Sequence, residues 1–147
     1  MTSSTSTRTV ATASITQTAA HALIAAAREA ARDAGIEVTI AVTDAAGHLK
    51  AFDRSDKAPF LSVDVAINKA WTAASFGLAT HVWNALMQDS QVAPLAHHPR
   101  VVAVGGGCPV TDGGQVVGGI GVSGGNALQD QQVAEIALKA LGFELAA

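Results

Sequence analysis

The chain has 147 residues, a net charge of −3 and a pI near 5.9. That length suits one domain with a hydrophobic core rather than two. Only 14% of the residues are charged and 49% are hydrophobic, whereas an average soluble domain is about 25% charged. We therefore expect part of the surface to be buried in a homo-oligomer. Because no basic cluster is present, nucleic-acid binding is not expected.

The predicted organisation is a disordered tail over residues 1–13 and a single domain over residues 14–147. The tail is rich in Ser and Thr and lacks the apolar segment of a signal peptide. No apolar run approaches the roughly 18 residues of a membrane span, so no membrane association is expected. The lone Cys108 excludes an intrachain disulfide and fits a reducing compartment. The predicted location is the cytoplasm.

The first half of the domain predicts a helix followed by a β-hairpin. Ser14 and Gln17 form a capping-box pattern, and the helical run ends at Gly35. Its predicted core stripe is Ile15, Ala19, Ala22, Ala26 and Ala30. Residues 37–43 and 48–53 then read as antiparallel strands around a turn at 44–47.

The second half predicts three more helices and three more strands. Helices are expected over about 60–76 and 80–88, and an irregular segment over 89–100. A strand over 101–104 precedes a hairpin formed by 108–111 and 115–122, and a helix covers about 126–141. The fold class is therefore α+β, a sandwich with an antiparallel sheet of five short strands flanked by helices.

Residues 118–125 contain a literal G-x-G-x-x-G at Gly119, Gly121 and Gly124. In a dinucleotide-binding fold this motif opens a βαβ unit and needs a second parallel strand. The residues after Gly124 suffice for one helix but not for that second strand, so nucleotide binding is not expected. The stretch reads instead as the passage from the last strand into the last helix, where glycines permit positive φ and close backbone approach.

Asp130 lies in the first turn of the predicted last helix. Its face of that helix carries four apolar residues: Val133, Ala134, Ala137 and Leu141. A carboxylate on a buried face needs a partner. In one interpretation Asp130 binds backbone N–H groups of the glycine stretch near the helix N-terminus. In the other it faces a pocket beside Ser123, as a ligand anchor or general base.

Lys69 lies in the second predicted helix, opposite the stripe expected to be its core face. That stripe is Phe60, Val63, Ile67, Ala70, Trp71 and Ala74. Lys69 nevertheless has apolar neighbours, which indicates a subunit interface or a pocket wall; the alternative is an ordinary surface lysine with an extended stem. The charged loop over residues 54–58 is either solvated or provides Arg54 and Asp56 as ligand contacts.

The five histidines form neither an H-E-x-x-H motif nor a Cys/His cluster, so a zinc site made by protein side chains alone is not expected. A haem iron needs less from the protein, because the porphyrin supplies four donors. The candidate axial ligands are His21, His81 and the adjacent pair His97 and His98. Cys108 reads as a buried, inert thiol, since the sequence shows no base to activate it.

Together these motifs resemble the GlcG/HbpS-like haem-binding (haem-degrading) family, which includes the C-terminal domain of PduO-type proteins. The matching segments are residues 42–47 (Val-Thr-Asp-Ala-Ala-Gly), 51–58, 66–73, 106–109 (Gly-Gly-Cys-Pro) and 118–125, with Gln-Asp at 129–130. The resemblance implies a profilin-like sandwich with five antiparallel strands, assembly into oligomers, and binding of haem or, in some relatives, a corrinoid. The residues and the resemblance together give these ligand-binding candidates: Arg54, Asp56, Lys69, Gly107, Ser123, Gly124 and Asp130.

Two departures from the family pattern indicate a changed ligand. The usual Arg-Met-Asp-Gly-Ala reads Arg-Ser-Asp-Lys-Ala over residues 54–58, and the usual Glu-Gln-Asp-Glu reads Leu-Gln-Asp-Gln over 128–131. Two acids and a methionine are thus lost around the expected pocket.

Three functions remain open from the sequence. The leading one is an oligomeric protein that binds haem or a similar tetrapyrrole, with no other cofactor expected. The second is a cofactor-independent isomerase, lyase or hydrolase acting on a small anionic metabolite. In that enzyme Arg54 or Lys69 would bind the anion, and Asp130 or a histidine would move a proton. The third is a structural subunit whose glycines only allow tight packing.

Overall fold

The computed structural model describes residues 7–145 and consists of four α-helices and a four-stranded sheet. The elements in chain order are α1 (Gln17–Ala34), β1 (Thr39–Asp44), β2 (Leu49–Arg54), α2 (Leu61–Phe76), α3 (Thr80–Leu86), a 3-10 helix (Ala93–His97), β3 (Gly107–Asp112), β4 (Gln115–Ser123) and α4 (Ala127–Ala140). Residues 7–13 are exposed and form neither helix nor strand, and residues 1–6 of the predicted tail lie outside the described part. No helix within residues 7–145 has both the length and the apolar character to cross a bilayer.

The sheet has the order β2-β1-β4-β3 and every pairing is antiparallel. Both predicted hairpins are present, so the α+β class with an antiparallel sheet is confirmed. At one end of the sheet, Thr39 pairs with Arg54 on one side and with Ser123 on the other. This end, where β4 leads into α4, is where the candidate site lies.

The expected fifth strand at residues 101–104 is wrong, because this segment has no strand structure. Its backbone groups bond side chains of neighbouring helices instead of a strand. The Val102 N–H donates to Thr72 Oγ1 at 3.1 Å, and the Ala103 carbonyl accepts from Asn84 Nδ2 at 2.9 Å. The alternating valines suit a half-buried edge, but the segment crosses α2 and α3 rather than the sheet.

The helices cover both faces of the sheet. α1 and α4 pack on the face that carries Ile40, Val42, Ile120 and Val122, and together they enclose the main hydrophobic core. α2 packs on the opposite face, against β1, β3 and β4. Because side chains alternate along a strand, Thr39 and Ser123 belong to the α2 face.

The predicted core stripe of α1 is turned by about one residue from the observed one. The buried residues of this helix are Ala20, Leu23, Ala27, Ala30 and Ala31. Alanines occur on every side of the helix, so their periodicity does not fix its orientation, whereas burying the larger Leu23 does. The N-cap is Thr16, whose Oγ1 accepts from the Ala19 N–H at 3.1 Å. The predicted cap Ser14 instead accepts from the Ala45 N–H.

The predicted core stripe of α2 is wrong except at Ala70 and Ala74. The residues that it buries are Ser62, Ala66, Lys69, Ala70, Thr72, Ala73 and Ala74. Phe60, expected inside, is 89% exposed. A Cβ added at Gly119 or Gly121 of β4 would overlap the backbone of α2. The helix therefore lies so close to the sheet that its small residues face inward and its bulky ones outward.

The glycines of residues 118–125 thus have two separate roles. Gly119 and Gly121 are strand residues that admit the α2 backbone. Gly124 adopts φ 139° between β4 and α4, a conformation that L side chains rarely adopt. Among the described residues, only α4 and a short terminal segment follow, so no second parallel strand completes a dinucleotide-binding unit.

Candidate functional site

A buried ion pair joins α2 to α4 at the end of β4. Lys69 and Asp130 are each only 2% exposed. Lys69 Nζ donates to the Val122 carbonyl oxygen at 2.9 Å and to Asp130 Oδ2 at 3.3 Å. Asp130 Oδ1 accepts from the Gly125 N–H at 2.8 Å. The interpretation in which Asp130 binds backbone N–H groups of the glycine stretch agrees with this geometry. Its role as a ligand anchor or general base stays a prediction.

Local sequence explains how this pair is assembled. Asn126 caps α4 in a reciprocal capping box with Gln129, which fixes the first turn and places Asp130 inward. Gly106 lies against the pair, and a Cβ there would come within 2.7 Å of Lys69 Nζ. The glycine before β3 therefore leaves the space that the ammonium group occupies.

Burial opposes the charged form of both groups. It lowers the pKa of Lys69 from its ordinary value, although the Asp130 carboxylate partly offsets this effect. It likewise raises the pKa of Asp130, with partial compensation from the Lys69 charge and the Gly125 N–H. Shifted pKa values of this kind are common at functional sites, which makes the pair a candidate site.

The pair forms part of the wall of an open, mainly apolar cleft of about 350 Å³, here called the α2–α4 cleft. The cleft is lined by Pro59, Leu61, Ser62, Val65, Lys69, Val102, Val104, Ser123, Gly124, Gly125, Ala127 and Asp130. An ammonium group has three N–H donors. Two of those on Lys69 are used within the protein, which leaves one for a group in the cleft.

A second groove of about 230 Å³ adjoins this cleft and contains a histidine. We call it the His81 groove; its lining is His81, Asn84, Val104, Gly105, Ala127, Leu128 and Gln131. Val104 and Ala127 line both spaces. The two spaces are therefore direct neighbours, with the ion pair beside one and an imidazole beside the other.

Comparison with known proteins identifies the family. Residues 15–139 match the family model described as haem degrading protein HbpS-like. The chain belongs to the HbpS-like family. This confirms the resemblance found in the sequence motifs. The chain is also 36% identical over 129 residues to the 15.0 kDa protein of the dhaT-dhaS intergenic region of Citrobacter freundii, with 86% of this chain and 91% of that protein covered.

Solved structures of HbpS-like relatives have the same fold. The Klebsiella pneumoniae protein ORFY superposes with a TM-score of 0.88 and 33% identity, covering 94% of this chain and 97% of that one. A complex of PduOC with haem superposes with a TM-score of 0.85 and 29% identity, covering 91% and 99%. At least one relative with this fold thus has a structure with haem.

The predicted ligand residues of the charged loop lie outside the α2–α4 cleft of this HbpS-like chain. Arg54 donates from Nη1 to the Ala58 carbonyl oxygen at 3.0 Å, so it closes its own loop. Asp56 is exposed. Arg54 is still only two strands from Ser123, because both pair with Thr39.

Of the glycine and serine candidates, two line the cleft and one does not. Ser123 and Gly124 line the α2–α4 cleft, next to the ion pair. Gly107 is buried and is not among the residues that line the cleft. Its N–H donates to Thr80 Oγ1 at 2.8 Å. A Cβ at Gly107 would overlap the Lys69 carbonyl, so this glycine positions α2 rather than lining the cleft.

The histidines are scattered over the molecule. His81 lines the groove, and its side chain is exposed, as are those of His21 and His97. His98 stacks on Trp71 with ring centroids 5.4 Å apart, and its Nδ1 accepts from the Arg100 N–H at 3.1 Å. Within residues 7–145 no group of three or more His, Cys, Asp or Glu side chains could hold a metal ion.

Sequence reasoning missed the apolar wall of the cleft. The sequence predicts apolar neighbours for Lys69, but it predicts a strand at Val102 and Val104, which line the cleft instead. The valine alternation indicated a half-buried segment; only the packing shows what the segment covers. The buried Thr39–Ser62 hydrogen bond of 2.7 Å, which ties the start of α2 to β1, was also not anticipated.

Proposed function

We propose that this protein binds haem or a closely related tetrapyrrole in the α2–α4 cleft and the adjoining His81 groove. The observation that carries the proposal is that the two spaces adjoin, since Val104 and Ala127 line both. The family model and the haem complex of a relative with the same fold support it.

The residues present fit such a ligand. A macrocycle is flat and apolar, and Val65, Val102 and Val104 offer apolar walls. Haem brings a redox-active iron that needs only one or two donors from the protein. His81 would provide an imidazole to it, and the remaining Lys69 donor would bind a carboxylate of the ligand.

The departures from the family pattern favour a ligand or binding mode different from that of relatives with the usual motifs. Leu128 lines the His81 groove where the family has an acid, and it is 64% exposed. Replacing a carboxylate by a leucine makes this wall more apolar and less negative. This wall of the groove would better fit a tetrapyrrole that presents to it fewer cationic groups, or fewer polar groups bound to its metal.

We further propose that the protein assembles with copies of itself and acts in the cytoplasm. Phe60 is 89% exposed and Leu61, at the rim of the cleft, is 69% exposed. Large apolar side chains at such positions favour coverage by a second subunit. The cytoplasmic location is supported by the reduced state that a single buried cysteine fits.

The proposal is tested by titrating the purified protein with haemin and recording the Soret band. We expect a saturable shift in the wild type and a clearly weaker or displaced band in His81→Ala. His21→Ala is the matched control, because that imidazole is exposed on α1 and lies away from both spaces. Absence of a saturable shift in the wild type would overturn haem binding. A loss confined to His21→Ala would place the ligand on α1 instead.

A second candidate is the cofactor-independent enzyme acting on a small anion. The buried Lys69–Asp130 pair beside Ser123 favours it, because such a pair can bind an anion and move a proton. Arg54 contributes less to this hypothesis, since it lies outside the cleft. Turnover of a carboxylate substrate that disappears in Asp130→Asn, but persists in the exposed control Asp56→Asn, would support this function, provided that circular dichroism shows both variants folded.

A further inference from the structure

A separate cavity of about 110 Å³ lies on the other face of the sheet, between the end of α1 and the start of β1. Its walls include Arg28, Arg32 and Ser55 and the apolar side chains of Ile36 and Val38. None of its lining residues lines the α2–α4 cleft or the His81 groove. It therefore cannot be part of the proposed tetrapyrrole site.

Two guanidinium groups one helical turn apart border this cavity. Arg28 is held by Asp53, whose Oδ2 accepts from both Nε and Nη2. Arg32 forms no ion pair within residues 7–145. Its place in the last turn of α1 suits the negative end of the helix dipole, but that does not use its hydrogen-bond donors. Glu37 is the one acidic residue in the lining, and it is exposed.

Ser55 adds an independent observation. Its backbone is satisfied, because its N–H donates to the Val38 carbonyl and its own carbonyl accepts from the Ala58 N–H. Its hydroxyl, however, is buried without a hydrogen-bond partner among the described residues. Buried hydroxyl groups are nearly always paired, and Ser55 lines the cavity, so a molecule bound there would supply the missing partner.

We propose that this cavity binds a short aliphatic monocarboxylate. Its volume corresponds to about three or four water molecules, at about 30 Å³ each, which suits an acid of about two to four carbons. The carboxylate would accept from Arg32 and from the Ser55 hydroxyl, in the geometry that guanidinium groups favour. The alkyl part would contact Ile36 and Val38. An inorganic anion such as phosphate lacks that part and would use only the polar wall.

The test is saturation-transfer NMR of propionate with the full-length protein, at constant ionic strength maintained with chloride. We expect saturable binding, with stronger transfer to the methyl group than to the methylene next to the carboxylate. Arg32→Gln should weaken binding at least about tenfold and Ser55→Ala about fivefold, the changes expected for losing a charged and a neutral hydrogen bond. Lys139→Gln is the control, because Lys139 is likewise an exposed cation in the last turn of a helix.

Each other result would overturn the proposal. Equal propionate affinity in Arg32→Gln and Lys139→Gln would show that only general surface charge is involved. Phosphate binding as tight as that of propionate would show that the apolar wall is not used. No saturable transfer to propionate in the wild type would mean that water fills the cavity and satisfies Ser55.

Discussion

The buried Lys69–Asp130 pair permits a quantitative prediction about stability. At the observed 3.3 Å separation, two unit charges attract each other by about 5 kcal/mol at an effective dielectric constant of about 20. The desolvation of both ions offsets much of this attraction, so the net contribution of the pair is small. Removing one partner is different, because it leaves the other charge buried alone. We therefore expect Asp130→Asn or Lys69→Met to destabilise the fold by about 3–5 kcal/mol.

The double variant carrying both substitutions should recover most of that loss. With neither charge present, it should lie within about 2 kcal/mol of the wild type, because no unpaired charge is left buried. The measurement is urea unfolding of the four proteins at about pH 7, combined as a double-mutant cycle. Lys139→Met, an exposed lysine on α4, is the control and should change stability by less than about 0.5 kcal/mol.

The pH dependence of Asp130→Asn has a defined sign. Burial lowers the pKa of Lys69 below its unfolded value of 10.5, so between the two pKa values the unfolded chain binds more protons than the folded one. Stability must then rise with pH in that window and fall as pH decreases through the folded pKa. The variant should be less impaired at about pH 9.5 than at about pH 7. Additive single effects in the cycle, or a deficit that grows with pH, would refute the buried pair.

Three further predictions follow from other contacts. Gly121→Ala should destabilise the protein by about 3 kcal/mol in urea unfolding, because its Cβ would overlap the α2 backbone. The control Gly35→Asn, at an open left-handed position, should lower the unfolding free energy by less than about 1 kcal/mol. Equal losses in the two variants would contradict this explanation. Burial raises the pKa of the Cys108 thiol to about 12, so it should react with a disulfide reagent near neutral pH only after unfolding; rapid reaction of the native protein would argue against burial. Thr16→Ala should lower the unfolding free energy by about 1 kcal/mol through loss of the α1 N-cap, and a neutral result would mean that the helix begins elsewhere.

Local sequence determined several element boundaries, although α1 is capped by Thr16 and not by the predicted Ser14. Gly35 adopts the left-handed conformation expected of a residue that ends a helix. The turn at 44–47 and the Asn126 cap are likewise set by residues within a few positions of each other. Such interactions depend on short-range geometry, so hairpins, helix ends and the α+β class could be predicted, and the family motifs strengthened that prediction.

The orientation of α1 and α2 could not be predicted in the same way. An alanine-rich helix has no single apolar stripe, and the inward face of α2 is selected by the absence of side chains on β4, in another part of the chain. Tertiary contacts also explain why the strand predicted over residues 101–104 does not form. The valines of this segment do alternate, but its backbone groups form hydrogen bonds with the side chains of Thr72 and Asn84 on the helices.

The candidate site depends on both the local sequence and the tertiary packing. The sequence singled out Lys69 and Asp130 separately, since each charged group stands among apolar neighbours. Only the tertiary structure brings these residues together, from positions 61 apart in the chain, and leaves Arg54 and Asp56 outside the cleft. The physical reason is that a hydrophobic pattern indicates which residues are buried. Which residues then contact one another depends on how closely α2 and α4 approach the sheet.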